Sequence, residues 1–190
     1  MKAKKKSKEP VKAGNILKQT WSDKKPVLLF VGLFALIIVL FYIIWVSPFF
    51  VRHVFEPIIS FYATTAGKVL TLFGYSNSVI GTAMYGTGVQ LSIKRGCDAI
   101  EATALFVAAI VAFPVNFRRK IAGLLFGILT LALVNLFRIV TLFIAALKYP
   151  SLFNFLHDEL WQVIYIGIAV LLLIVWLQWV RRAKEEKYAS

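Results

Sequence analysis

One cysteine, two histidines and nine acidic residues in a chain of 190 leave little room for several common chemistries. A lone cysteine makes no disulfide within the chain, no Cys-rich metal site and no dithiol redox pair. Cys97 is therefore a free thiol, a packed small hydrophobe or an intermolecular partner. No metal and no cofactor are expected. No internal repeat is visible, nor the broken-helix pattern common among transporters. A Gly-x-Ser-x-Gly element is also missing, which disfavours membrane serine proteases of the rhomboid kind.

Charge is missing from long stretches too. Val27–Val46 carries none over about twenty residues, enough to cross a ~30 Å hydrocarbon layer at ~1.5 Å per residue. Ala99–Phe113 holds only Glu101, Ile121–Leu147 only Arg138, and Trp161–Val180 no charge. With 59% hydrophobic residues, the pattern reads as an all-α integral membrane protein with about four transmembrane helices, Ala99–Phe113 being the shortest. Val27–Val46 is too long for a signal core and lacks a small-residue cleavage site at Ser47-Pro48-Phe49, so a retained anchor is expected.

The net charge of +13 suggests nucleic acid until its distribution is followed. Nine lysines precede Val27, Arg118-Arg119-Lys120 fill the turn between the second and third segments, and Arg181, Arg182, Lys184 and Lys187 follow the fourth. Four crossings put these regions, with sixteen of the twenty-two cations, on one side. This is the positive-inside pattern. It predicts a membrane protein with cytoplasmic termini, contact with anionic lipids and no nucleic-acid partner. Trp45, Trp161, Trp176 and Trp179 fall near the segment ends, as an aromatic belt does.

Three parts follow: a basic tail over 1–26, disordered by composition, a membrane-embedded region over 27–180, and a second basic tail over 181–190. The one sizeable extramembrane piece is the loop 47–96. Val54–Phe73 has helical apolar spacing and suits an amphipathic helix on the outer leaflet. Asn77–Ile93, with Gly81, Gly86 and Gly88, suits a short hairpin turning near Tyr85–Gly88.

On this topology Cys97, Arg138 and His157 sit at the outer ends of three different segments. Cys97 stands at the first turn of segment two, where unpaired N–H groups and the helix dipole favour a thiolate; a lone cysteine there is otherwise a packed hydrophobe. Arg138 within an apolar segment costs at least ~2.5 kcal/mol and marks a functional site unless it snorkels to headgroups. It lies about 25 Å up segment three from Ile121. Asn135 and Thr141, three residues to either side, extend a polar stripe toward the bundle. His157, followed by Asp158 and Glu159, offers an acid/base imidazole, while His53 has no comparable setting. Glu101, at i+4 from Cys97, pairs with or orients Arg138, or forms a purely structural ion pair.

Three blocks carry a family resemblance: Gly96-Cys97-Asp98-Ala99-Ile100-Glu101-Ala102, Asn135-Leu136-Phe137-Arg138-Ile139, and His157 leading into Gly167. Over roughly residues 90–170 the chain resembles the exosortase/archaeosortase membrane proteins, most nearly the short exosortase H type. Many members carry Ser-Gly after the cysteine, where this chain has Asp98-Ala99. The resemblance implies a membrane cysteine protease or transpeptidase with Cys97, Arg138 and His157 catalytic and Glu101, Asn135 and Asp98 in support. Its implied partners are membrane-anchored proteins ending in a short motif, a transmembrane helix and a basic cluster, plus an unidentified acceptor, with the active site facing the periplasm. The rival reading from the residues alone is a non-catalytic membrane subunit or small transporter built on an intramembrane Arg138–Glu101 pair.

Overall fold

A computed structural model describes the backbone of residues 13–93 and 99–189 and the side chains of 24–93 and 99–182. Cys97 and Asp98 lie outside the described residues. The order is α1 (Ala13–Trp45), α2 (Pro48–Phe50), a π-helical turn (Val51–Phe55), α3 (Glu56–Leu72), β1 (Ser78–Ile80), β2 (Ala83–Gly86) and β3 (Val89–Ser92). Then come α4 (Ile100–Ala112), α5 (Phe117–Lys148), α6 (Pro150–Asn154), a second π-helical turn (Phe155–Leu160) and α7 (Trp161–Ala189).

The chain is a membrane protein with a predominantly helical fold. Three helices are long and apolar enough to span a bilayer: Lys24–Trp45, Phe117–Lys148 and Pro150–Arg182. The expected second segment is α4, whose 13 residues give about 20 Å of helix, short of a ~30 Å layer. It packs against α1, α5 and α7, so its apolar surface is matched by protein as much as by lipid. Two extensions differ from expectation. Helix α1 starts at Ala13, inside the tail read as disordered, and passes through Pro26; the lysines, glutamine and leucine there are good helix formers. Helix α7 likewise continues to Ala189.

Helix α5 organises the rest. Its 32 residues measure about 48 Å, some 18 Å more than a bilayer core requires. Burial increases along that surplus: Arg138, Ile139, Val140, Leu142, Phe143 and Ala145 are all buried near the Lys148 end. What covers them is α3 and the sheet. On α3 the buried residues Ile59, Ala63, Ala66, Gly67 and Leu70 repeat at helical spacing, and all but Gly67 join Met84, Ile93, Ile139, Val140 and Phe143 in one cluster. The amphipathic helix expected near Val54–Phe73 thus exists, but its apolar stripe is spent on α5 and the sheet. Asn77 clamps the following loop to it, donating to the carbonyls of Gly67 (3.0 Å) and Tyr75 (3.1 Å).

The expected hairpin is present and belongs to a three-stranded antiparallel sheet in the order β1-β2-β3. Ile80 pairs with Ala83, and Gly86 with Val89, leaving two-residue turns at Gly81-Thr82 and Thr87-Gly88. Gly81 (φ 58°) and Gly88 (φ 74°) supply the left-handed residue in each.

At the other end of α5 the packing depends on two missing side chains. A Cβ on Gly127 would collide with the ring of Phe106 on α4, and one on Gly123 with the indole of Trp176 on α7. These glycines, four apart, form the small-xxx-small pattern of close membrane packing, each notch receiving an aromatic ring. The Trp176 indole N–H donates to the Arg119 carbonyl (3.1 Å), Arg119 donates to the Val180 carbonyl (3.3 Å), and Lys120 donates to the Val111 carbonyl near the end of α4. The basic turn therefore ties the end of α4 and the start of α5 to the side of α7.

Candidate active site

The buried part of the site begins on α5, where the helix leaves the length a bilayer needs. Arg138 is 5% exposed and Asn135, one turn before it on the same face, is 1% exposed. Burying a guanidinium demands polar partners, and one is clear: Nη2 donates to the main-chain carbonyl of His157 at 3.4 Å. Arg138 and His157, nineteen residues apart in sequence, meet here through the His157 main chain.

His157 lies in the π-helical turn Phe155–Leu160. Such turns interrupt regular helix geometry and recur at functional sites. Its Nδ1 is 2.6 Å from Asp158 Oδ1, and its ring stacks on Phe153 at 5.5 Å with 17° between planes. A carboxylate only accepts, so Nδ1 carries the hydrogen, and in the neutral imidazole Nε2 is the nitrogen without one. The side chain of His157 is 25% exposed and that of Asp158 67%, which leaves the imidazole reachable from solvent. Sequence reasoning saw Asp158 only as a neighbour of the histidine; its role as orienting partner comes from the geometry of the turn.

Two sequence expectations change. Thr141 does not extend the polar stripe into the bundle: its hydroxyl turns back onto its own helix, donating to the carbonyls of Phe137 and Arg138, both at 2.9 Å. Glu101 does not pair with Arg138. It is exposed in the first turn of α4, and no ion pair joins the two among the described residues. The physical reason lies just upstream. Helix α4 begins at Ile100 after Ala99, whose φ of 58° and ψ of 8° are left-handed, so the helix that carries Glu101 does not extend back through Ala99.

That left-handed residue is held from two sides. Thr103 Oγ1 donates to the Ala99 carbonyl (2.9 Å) and lies 3.3 Å from the Tyr165 hydroxyl, which donates to the Leu131 carbonyl of α5 (3.2 Å). Tyr165 is 3% exposed. The start of α4, three residues after Cys97 in sequence, is thereby tied to α5 and α7.

Tyr62 on α3 is a site neighbour that sequence reasoning missed. Burial pushes the phenol above its usual pKa of 10.0, and the Asn135 side chain partly offsets that rise. The only sequence signal was a tyrosine on the otherwise small and aliphatic stripe of α3.

Two apolar grooves run along α5 beside the polar residues. One, of about 530 Å³, is lined by Leu133, Val134, Phe137, Leu156, Trp161 and Ile164, among others. The other, of about 470 Å³, lies on the far side of Phe137 against Val69, Tyr75, Val140 and Ile144. Phe137 itself is 62% exposed. Apolar surface of this kind suits a hydrophobic segment lying next to the polar site.

Residues 26–174, well over half of the chain, match the family described as transmembrane exosortase. The chain belongs to the transmembrane exosortase family. No curated protein and no solved structure matches it.

Proposed function

We propose that this protein is a cysteine-type endopeptidase or transpeptidase that removes the C-terminal sorting signal of exported, membrane-anchored proteins. In this reading Cys97 is the nucleophile, His157 the acid/base and Arg138 the electrostatic and positioning group. The observation that carries it is the junction of Arg138 with His157, whose Nδ1 is held by Asp158. That arrangement leaves Nε2 to take the thiol proton.

The Cys97 thiolate attacks the scissile carbonyl, the C–N bond breaks, and the imidazolium gives its proton to the departing amine. A thioester remains, and an acceptor nucleophile or water resolves it. A buried guanidinium favours the oxyanion that precedes each collapse. The positive-inside pattern puts the termini in the cytoplasm and the site at the periplasmic face of a bacterial inner membrane. The same logic orients a substrate whose own helix ends in a basic cluster.

Co-expression with a tagged protein ending in a motif–helix–basic-cluster signal tests this by mass spectrometry. Wild type is expected to cut near the motif, and the mass of the new terminus identifies the acceptor. The Cys97→Ala variant should reach the membrane at the same level and leave the reporter intact; full processing by that variant refutes the assignment.

A further inference from the structure

A third apolar groove lies at the end of α5 away from Arg138. It measures about 230 Å³ and runs between Ala122, Gly123 and Phe126 on α5 and Val175, Trp176 and Trp179 on α7, among others. Phe126, Val175 and Trp179 are exposed, so the groove opens outward from the bundle, where a bilayer meets it. Its floor is fixed. The Trp176 indole fills the notch left by Gly123, and its N–H donates to the Arg119 carbonyl at 3.1 Å.

One end of this groove is basic. Ala122, Gly123 and Phe126 follow Arg119 by three, four and seven residues, so Arg119 continues their face of α5. Arg182 follows Trp179 by three and Val175 by seven, and continues the lining face of α7 in the same way. Arg119 Nη1 also reaches across to the Val180 carbonyl at 3.3 Å, which sets a guanidinium between the two helices just past Trp179. Around this end, residues 117–120 and 180–187 carry seven cations against two acidic residues.

Such a channel is complementary to a molecule with an anionic head and a hydrocarbon tail. Guanidinium forks match phosphate oxygens, and basic pockets between transmembrane helices on the cytoplasmic side take anionic lipid headgroups. A substrate helix ending in a basic cluster would meet like charge here, and so would a second copy in the same orientation. We propose that the groove binds an anionic phospholipid, with one acyl chain between α5 and α7 and the phosphate held by Arg119 and Arg182. This assignment goes beyond the proposed function and does not depend on it.

The test titrates full-length protein in detergent micelles with phosphatidylglycerol or phosphatidylcholine brominated on the acyl chains, and reads quenching of tryptophan fluorescence. Phosphatidylglycerol is expected to reach half-saturation at a mole fraction at least roughly 5-fold lower than phosphatidylcholine, the scale of one basic residue at an anionic surface. Trp179→Phe should remove much of the quenching, which assigns the signal to this groove. Arg119→Gln and Arg182→Gln should each weaken the phosphatidylglycerol preference roughly 5-fold, whereas Arg181→Gln, on the opposite face of α7, should leave it unchanged. Arg182→Gln carries the test if loss of the Val180 bond unfolds Arg119→Gln. Ala122→Phe, at an exposed position, should fill the groove and abolish the preference. Equal half-saturation for the two lipids, equal effects of Arg181→Gln and Arg182→Gln, or an unaffected Ala122→Phe variant overturns the proposal. Inorganic phosphate should not restore the fluorescence; restoration would make this a free-anion site and overturn the lipid assignment.

Discussion

Gly127 and Phe106 form a lock whose two halves can be exchanged. In the Gly127→Ala variant the new methyl would fall on Cε1 and Cζ of the Phe106 ring, with Cδ1 next at 3.3 Å. Overpacking of this kind costs roughly 1–3 kcal/mol, while alanine returns about 1 kcal/mol of helix propensity, so the single variant should lose about 0–2 kcal/mol. Phe106→Leu alone opens space in a core position that is 3% exposed, at a cost of about 1–1.5 kcal/mol. Leucine, however, has no counterpart of Cε1 or Cζ. In the double variant the methyl occupies the vacated volume and the propensity gain survives. The pair should therefore be more stable than the sum of the singles by roughly 1–3 kcal/mol. Thermal unfolding in detergent micelles reads this as a recovery of several degrees, at about 2–4 °C per kcal/mol for a chain of this size. Losses that add to within about 0.5 kcal/mol would mean that the ring does not occupy the glycine notch.

Three further outcomes are expected. Ala99→Val should lower the unfolding temperature by the equivalent of about 1–2 kcal/mol, because a β-branched side chain is poorly accommodated at φ 58°; a neutral result contradicts the left-handed start of α4. Asp158→Asn should slow reporter processing roughly 10-fold or more by releasing the imidazole, and Glu159→Gln should not; equal effects would remove Asp158 from its orienting role. For Tyr62 the folded-state pKa is raised by burial, so its contribution to stability is complete below the unfolded value near 10 and is lost as pH climbs through the higher folded value. Unfolding temperatures measured up to strongly alkaline pH should accordingly fall faster for wild type than for Tyr62→Phe, and parallel curves would contradict the burial of the phenol.

The sequence reading succeeded where the signal is local. Val27–Val46, short of its last residue, and Ile121–Leu147 and Trp161–Val180 fall within long helices, because twenty apolar residues have few other folds in a membrane protein. The Thr87-Gly88 turn was equally legible, since glycine there supplies a backbone angle that other residues resist. Arg138 stood out because a charge in an apolar run is costly. The reading failed where the answer depends on what lies opposite. Glu101 was assigned to Arg138 by counting residues along a helix that in fact begins at Ile100. Gly123 and Gly127 passed unnoticed although their spacing was visible, because the aromatic rings that need the room come from Phe106 and Trp176 on other helices. Tyr62 and Asp158 are ordinary residues locally, and only the folding of α3 onto α5 and the π-helical geometry near His157 give them meaning.

Helix α5 also acts as a caliper. Its basic end is fixed by the hydrogen bonds of Arg119 and Lys120 to neighbouring backbones, and from Arg119 to Arg138 it runs unbroken for about 28 Å. That is close to the ~30 Å of a typical hydrocarbon layer. The height of Arg138 above the anchored end is therefore built into the covalent chain, while the height of the water surface is set by the lipids. In bilayers of longer acyl chains that level would sink below the surface, and in thinner ones it would stand clear. Lipid chain length would thus bear on how far the partly exposed His157 side chain meets water, without contact to it.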